Sequence, residues 1–360
     1  MKHTNKGWTR AVVFLFVLIM VGIYVAWEVV RKPITHANYT SVWSEDFFGL
    51  MPKLQNSSKL KIDTVSLNDA QKQYDLRMIA IVYNRANSLK RLLKSINGAD
   101  FGKDSIKLEV WIDRSKEGKF DTATIDAAVA FEFKHGDYSV NIHTEHVGIY
   151  GQWLSTWKPQ LNSSEIAVIL EDDLTVSPHF YKYLKLVHKK YDNVPEINGY
   201  ALQGHSIKHF VHDTSTLVGP KDSHVFLYPV LGTWGFSPNT KNWIKFLDWF
   251  AVAHSDKDFV PDIPNNIVSN WYRQFIQSGK SDGMWSIWHI YYAWEHMEYT
   301  LYCNFPAHLG LTVNWKEPGL HYSGQASKPS NGMLTTWRDE YENLPDNPSH
   351  LNIAGNKIPV

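Results

Sequence analysis

Residues Ile166 to Pro178 read IAVILEDDLTVSP. The apolar run Ile166 to Leu170 has the length and branching that a strand buried on both faces requires. Three carboxylates, Glu171, Asp172 and Asp173, follow at once, so charge sits where the strand ends. In open α/β sheets ligands bind outside the carboxyl ends of strands. Adjacent carboxylates repel one another unless a cation or water screens them, and an oxygen-only donor set suits Mg2+ or Mn2+. An ion there bridges to nucleotide phosphates and offsets the charge of a phosphate leaving group. The same residues also fit a solvated acidic turn ahead of a helix starting near Ser177 and Pro178.

Upstream, Met78 to Tyr83 (MIAIVY) is a second buried-strand candidate, followed by a turn, Asn84 to Ser88, with Ser88 as helix N-cap. Leu89, Leu92, Leu93 and Ile96 recur at helical spacing. Ile106 to Ile112 (IKLEVWI) alternates as a strand and ends at Asp113. Strand, helix, strand at this spacing is a βαβ unit. A strand over Tyr138 to Ile142 leads to His146–Gln152 (HVGIYGQ) and an aromatic helix carrying Trp153 and Trp157. The pattern is the nucleotide-binding half of an α/β fold without a GxGxxG or P-loop sequence. Asp113 at its strand end suits a ribose or base, or equally a turn in which it bonds its own backbone. Arg85 either approaches the nucleotide or is solvated.

The 360 residues are 44% hydrophobic, enough for a sizeable core. Lys plus Arg and Asp plus Glu both number 36, so no global field points to nucleic acid. Fifteen tryptophans supply flat rings that fill cores or stack on sugars. The single cysteine, Cys303, excludes an intrachain disulfide and reads as a small buried hydrophobe.

Ala11 to Trp27 carries no charge, and Val29 and Val30 extend it, which gives a membrane-spanning length over residues 11–30. Lys2, Lys6 and Arg10 precede it and favour a cytoplasmic tail, residues 1–10, hence a type II orientation, with a cleaved signal peptide as the competing reading. Residues 31–75 read as a polar luminal stem. Asn38, Asn56 and Asn162 each begin a glycosylation acceptor pattern.

Downstream, Leu231 to Pro238 (LGTWGFSP) places Trp234 between two glycines. It is either a loop against which a sugar stacks or a tight hairpin with a buried Trp. Trp243, Phe246, Leu247 and Phe250 mark a core-facing helix. Residues 253–282 are polar and rich in Gly and Pro, as expected of a segment that closes over a ligand. Ser281-Asp282-Gly283 precedes an aromatic helix over Met284 to Tyr292, and Asp282 fits a helix cap or a general base. Leu301 to Pro306 reads as a strand, Asn314 to His321 as a structured loop, and residues 325–360 as a tail on the surface.

The order YNR, Asp113, HVGIYGQW and ILEDDLTVSPHFYKYL resembles inverting GT-A glycosyltransferases, in particular family-2-like enzymes and N-acetylglucosaminyltransferase I. The likeness covers residues 76–324 and is strongest over 146–183. It implies an α/β GT-A fold, a Rossmann-like mixed sheet flanked by helices, and with the anchor and stem a type II Golgi membrane protein whose catalytic domain is luminal. It further implies that Asp173 ligates Mn2+ (or Mg2+) with help from Asp172 and His321. Tyr83, Arg85, Asp113, Gly148, Gln152, Glu171, Asp172, Trp234 and Gly235 would line the donor nucleotide-sugar. Asp282 would be the catalytic base, with Glu295 and then Asp262 as the next candidates. The expected activity is transfer of a sugar, by likeness GlcNAc, from a UDP-sugar to a hydroxyl of a glycan, glycoprotein or glycolipid. The alternatives are a catalytically silent glycan-binding or scaffold protein of the same fold, and a nucleotide-sugar hydrolase.

Overall fold

The computed structural model describes residues 60–62, 72–318 and 328–359. Residues Ser57–Val360 form one compact unit. The apolar segment 11–30, most of the segment read as a stem, and His321 lie outside the described residues. Among the described residues no helix is long and apolar enough to cross a membrane.

The chain builds an 11-stranded mixed sheet. Its first half comprises β1 (Leu60–Ile62), β2 (Leu76–Val82), β3 (Ile106–Ile112), β4 (Gly136–Ile142) and β5 (Ile166–Glu171), all parallel, in the order β1-β4-β3-β2-β5. Helices α1 (Ala86–Asn97), α2 (Thr122–Val129) and α3 (Gly148–Leu154) make the crossovers. Beyond a two-stranded partner, β6 (Leu174–Val176), come α4 (Phe180–Tyr191), β7 (Ile197–Ala201), β8 (Val225–Tyr228) and β9 (Phe236–Pro238). The chain continues through α5 (Thr240–Ala253), α6 (Ile267–Gln277), α7 (Ser286–Glu295), β10 (Tyr299–Cys303), β11 (Thr312–Asn314), β12 (His350–Leu351) and β13 (Lys357–Ile358). Strand β9 runs antiparallel between β5 and β7, so β5, β7 and β10 share one direction. β6 and β11 form a separate antiparallel pair immediately after the acidic residues.

Several expectations need correction. β1 pairs with β4 inside the segment read as a stem, because a three-residue strand is too short to show a period. Helix α1 starts after Arg85, and Ser88 is buried in its first turn instead of capping it. Helix α3 ends at Leu154, so Trp157 reaches the core from the following loop. The polar stretch 253–282 contains α6, whose N-cap Asn266 accepts from Val268 N at 2.9 Å. Within residues 328–359, β12 joins the sheet edge beside β8.

On one face α3, α5 and α7 pack through aromatic rings. Trp153 stacks on Trp285 at 4.4 Å between centroids, and His289 lies among Phe236, Trp243 and Phe246. His289 Nδ1 is buried without a hydrogen-bond partner, and burial pushes its pKa down from 6.5 to about 3. The folded value is the lower one, so between these limits the unfolded chain takes up a proton that the folded chain refuses. The stability contributed by neutral His289 is therefore complete above its unfolded pKa and is lost as pH falls towards its folded pKa. By pH 5 the loss reaches ~2 kcal/mol at 1.36 kcal/mol per pH unit. In thermal melts His289→Phe should flatten the decline in Tm between pH 7 and pH 5; an unchanged slope would assign the acid sensitivity elsewhere.

Candidate functional site

The strand order reverses at β2, which has β3 and β4 on one side and β5 on the other. The carboxyl ends of β2 and β5 therefore flank a topological switch point, where an open α/β sheet leaves a crevice. Tyr83 to Arg85 emerge from β2 there, and Glu171 to Asp173 from β5. Tyr83 is 39% exposed, an aromatic face left open at the rim.

The three carboxylates have three different environments. Trp153 Nε1 donates to Glu171 Oε1 at 3.0 Å, and burial pushes the Glu171 carboxyl up to about 8, with Asp173 adding to the shift. Both oxygens of Asp172 face the Arg85 guanidinium, with Nε 3.0 Å from Oδ2 and Nη2 bonded to Oδ1. Burial raises Asp172 to about 7 against the opposing pull of Arg85. Asp173 is also buried, which raises its pKa, while Arg85 Nη1 stands 3.6 Å from Oδ2. Its Oδ1 is buried and has no partner.

That orphaned oxygen discriminates between two aspartates that sequence chemistry leaves equivalent. Asp172 is committed to Arg85, whereas Asp173 retains a lone acceptor that a cation would satisfy. Among the described residues no three His, Cys, Asp or Glu side chains converge into a metal cage. A single carboxylate still fits Mg2+-like ions, which are held by one or two carboxylates together with substrate phosphates and water. The donor set thus suits a divalent ion that a nucleotide completes, with Asp173 as the protein ligand.

Strand β11 connects this carboxylate to the Trp234 loop. Trp315 N donates to Asp173 O at 3.0 Å, and Thr312 Oγ1 donates to Trp234 O. Three residues of strand separate the two contacts, roughly 10 Å at 3.3 Å per residue. The loop is not a hairpin, since it feeds β9 into the middle of the sheet. Gly235 has φ +83°, and a Cβ there would meet Thr312 Cγ2 at 2.8 Å, so the backbone requires glycine. Trp234 is half-buried, and Gln203 Oε1 accepts from its N–H at 3.2 Å.

Three donor-site candidates hold structural contacts. Asp113 is buried and accepts from Val147 N and Gly148 N, both at 2.9 Å, with His146 Nδ1 3.1 Å away. It therefore caps α3 from a neighbouring strand and does not bond its own turn. Gly148 supplies one of those N–H groups at φ +62°. Gln152 is buried and donates to Val82 O and Trp111 O, tying together the ends of β2 and β3. These residues rigidify the crevice floor.

The base candidates separate by position. Asp282 lies in a single 3-10 turn ahead of α7, exposed, with Lys116 Nζ 3.1 Å from Oδ2. It does not cap α7, whose N-cap is Trp285. The stack of Trp285 on Trp153, which bonds Glu171, links that end of α7 to the acidic strand end. Glu295 is at the opposite end of α7, just before β10 begins, and β10 runs parallel to β7. It therefore stands at the end of α7 away from Asp282 and from the Trp285–Trp153 stack. Asp262 is exposed and paired with Arg273 at 2.5 Å.

The structure adds groups that the sequence reading missed. Arg91 pairs with Glu317 and lies over the Trp315 ring at 4.4 Å, and Asn314 favours the charged form of Asp173 against the effect of burial. His205 and His308 face each other at 6.1 Å, and burial lowers the His205 pKa, as do the charges of His308 and Lys316. Ala307, His308 and Lys316 all have positive φ, a strained backbone on both sides of β11. Only the proximity of Asn314 to Glu317 in sequence hinted at this shell.

No protein-family profile matches the chain, and no curated protein matches it. Its mixed α/β fold is distantly similar to glycosyltransferases of known structure. One is the mannosyltransferase PcManGT from Pyrobaculum calidifontis in complex with GDP-Man and Mn2+, 14% identical, TM-score 0.32, covering 56% of this chain and 52% of that one. Another is S. aureus TarS 1–349, 10% identical, TM-score 0.28, covering 46% of this chain and 47% of that one. The matches span about half the length of each neighbour. Overlaps this loose carry no weight beside the geometry of the site.

Proposed function

We propose that the chain is a metal-dependent inverting glycosyltransferase of the secretory pathway, moving a sugar, GlcNAc by sequence likeness, from a UDP-sugar to an acceptor hydroxyl. The supporting observation is the orphaned Asp173 Oδ1 at the switch point of the parallel half-sheet. Asp173 would hold Mn2+ or Mg2+, which when bound supplies counter-charge to the departing diphosphate. Arg85 fixes Asp172 and keeps positive charge beside Asp173. Tyr83 offers a face for the base, and Trp234 a face for the sugar. The acceptor oxygen attacks the anomeric carbon as the bond to the diphosphate breaks, the diphosphate leaves with the electron pair, and Asp282 takes the hydroxyl proton. The N-terminal apolar segment would anchor the protein in the Golgi membrane with this domain in the lumen.

The decisive experiment is a thermal-shift panel of the full chain against UDP, GDP, CMP and their sugar nucleotides, with and without Mn2+. Ligand that binds only the native state raises Tm by mass action. A shift that requires both Mn2+ and a nucleotide is expected; a folded protein unmoved by every pair would remove the donor site. For the base, Asp282→Asn should lower transfer by about 10²–10⁴-fold while nucleotide binding persists. Undiminished transfer would exclude Asp282. Hydrolysis without any acceptor would identify a nucleotide-sugar hydrolase.

A further inference from the structure

A groove of about 540 Å³ runs between α3 and α5, lined by Tyr150, Leu154, Lys158, Leu247, Ala251 and His254 among others. Its direction follows from the sheet. Helix α3 starts at the carboxyl edge, where Asp113 holds Gly148 N, and descends towards the start of β5. Strand β9 runs antiparallel to β5, so α5 climbs back to the carboxyl edge and ends beside Tyr150, whose ring lies 5.6 Å from that of His254. Between Ile244 and His254, which mark the two ends, the helix rises about 15 Å at 1.5 Å per residue.

The upper end adjoins the turn that carries Asp282. Tyr150 Oη lies 3.1 Å from Ser281 O and 3.2 Å from Met284 O, and it accepts from Trp288 Nε1 at 3.0 Å. The walls are mainly apolar, with Lys158 and Asp248 the charged residues on them. Two other grooves differ: one between α1 and α2 carries Lys90, Lys94 and Lys134, and one between α5 and α7 includes Asp256 and Glu295.

From this geometry we infer that the groove holds the hydrocarbon chain of an amphiphilic acceptor, whose hydroxyl-bearing head lies at Asp282. The inference rests on the transferase reading and narrows its acceptor to lipid-linked glycosides. An elongated apolar slot that opens beside a candidate base at one end and onto solvent at the other suits a chain with one polar terminus. A globular glycan would leave most of the slot empty.

The test uses the full chain with butyl, hexyl and octyl β-glucosides below their micelle concentrations, with binding followed by calorimetry in the absence of donor and metal. Each added methylene should tighten binding about three- to fourfold, the equivalent of ~0.8 kcal/mol per buried CH2. Ala251 is exposed, so Ala251→Trp fills the slot without disturbing the core, and it should flatten the series. A flat series in the wild type, as would occur if another segment of the chain or a second copy filled the groove, overturns the inference. So does an undiminished slope in Ala251→Trp, which would mean that the chains bind elsewhere. A steep series in a protein that binds no nucleotide would support the groove while removing the transferase reading. Transfer to acceptors with no dependence on chain length would do the reverse.

Discussion

Asp173→Asn should abolish Mn2+-dependent nucleotide binding, lower transfer by at least about 10²–10³-fold, and leave the metal-free protein folded with an equal or higher Tm. The two halves of this expectation have one cause. Asp173 Oδ1 is buried without a hydrogen-bond partner, and an unsatisfied oxygen on a buried carboxylate costs stability. A neutral amide of the same shape removes that cost, and with it the anionic ligand that a divalent ion needs. Trp315 N bonds to the backbone oxygen of Asp173, so the β6/β11 connection is untouched by the substitution. Melting curves with and without Mn2+ and UDP separate the alternatives. A fall in metal-free Tm would make Asp173 a structural carboxylate. A retained Mn2+-dependent shift would move the metal to other residues.

The elements that could be read in the sequence are those whose apolar pattern is local. IKLEVWI and IAVIL appear as strands because burial on both faces leaves an unbroken or alternating run, and the charges of Glu171 to Asp173 mark the strand end. What could not be read depends on which edge of the sheet a residue reaches. Glu295 and Asp282 stand at opposite ends of one helix, and only the shared direction of β10 and β7 shows that Glu295 faces away. Asp113 and Gln152 have the residue types of a nucleotide site. Yet their polar atoms are used by backbone groups from elements far along the chain, pairings that no spacing rule encodes. The Arg91 and Glu317 pair joins residues separated by 226 positions and gives no local signal.

Arg85→Leu should cost about 3–5 kcal/mol of stability, because it strands a buried carboxylate. Asp172 is 2% exposed, and both its oxygens bond to the guanidinium. Arg85 is less enclosed, its side chain 28% exposed, so Asp172→Leu should cost less, since the freed guanidinium can turn to water. The double variant should recover most of the loss, as buried ion pairs replaced by apolar side chains of similar volume often do. Chemical denaturation of the four proteins completes the cycle, and its coupling energy measures the pair directly. If Arg85 acted only on the nucleotide, Arg85→Leu would leave unfolding unchanged and raise the KM for the donor alone. If the guanidinium serves both, nucleotide binding stays impaired in the refolded double variant, because the positive charge beside Asp173 is still missing. Arg85 thus compensates the buried charge of Asp172 while its Nη1 stands beside Asp173, and the double variant separates the two contributions.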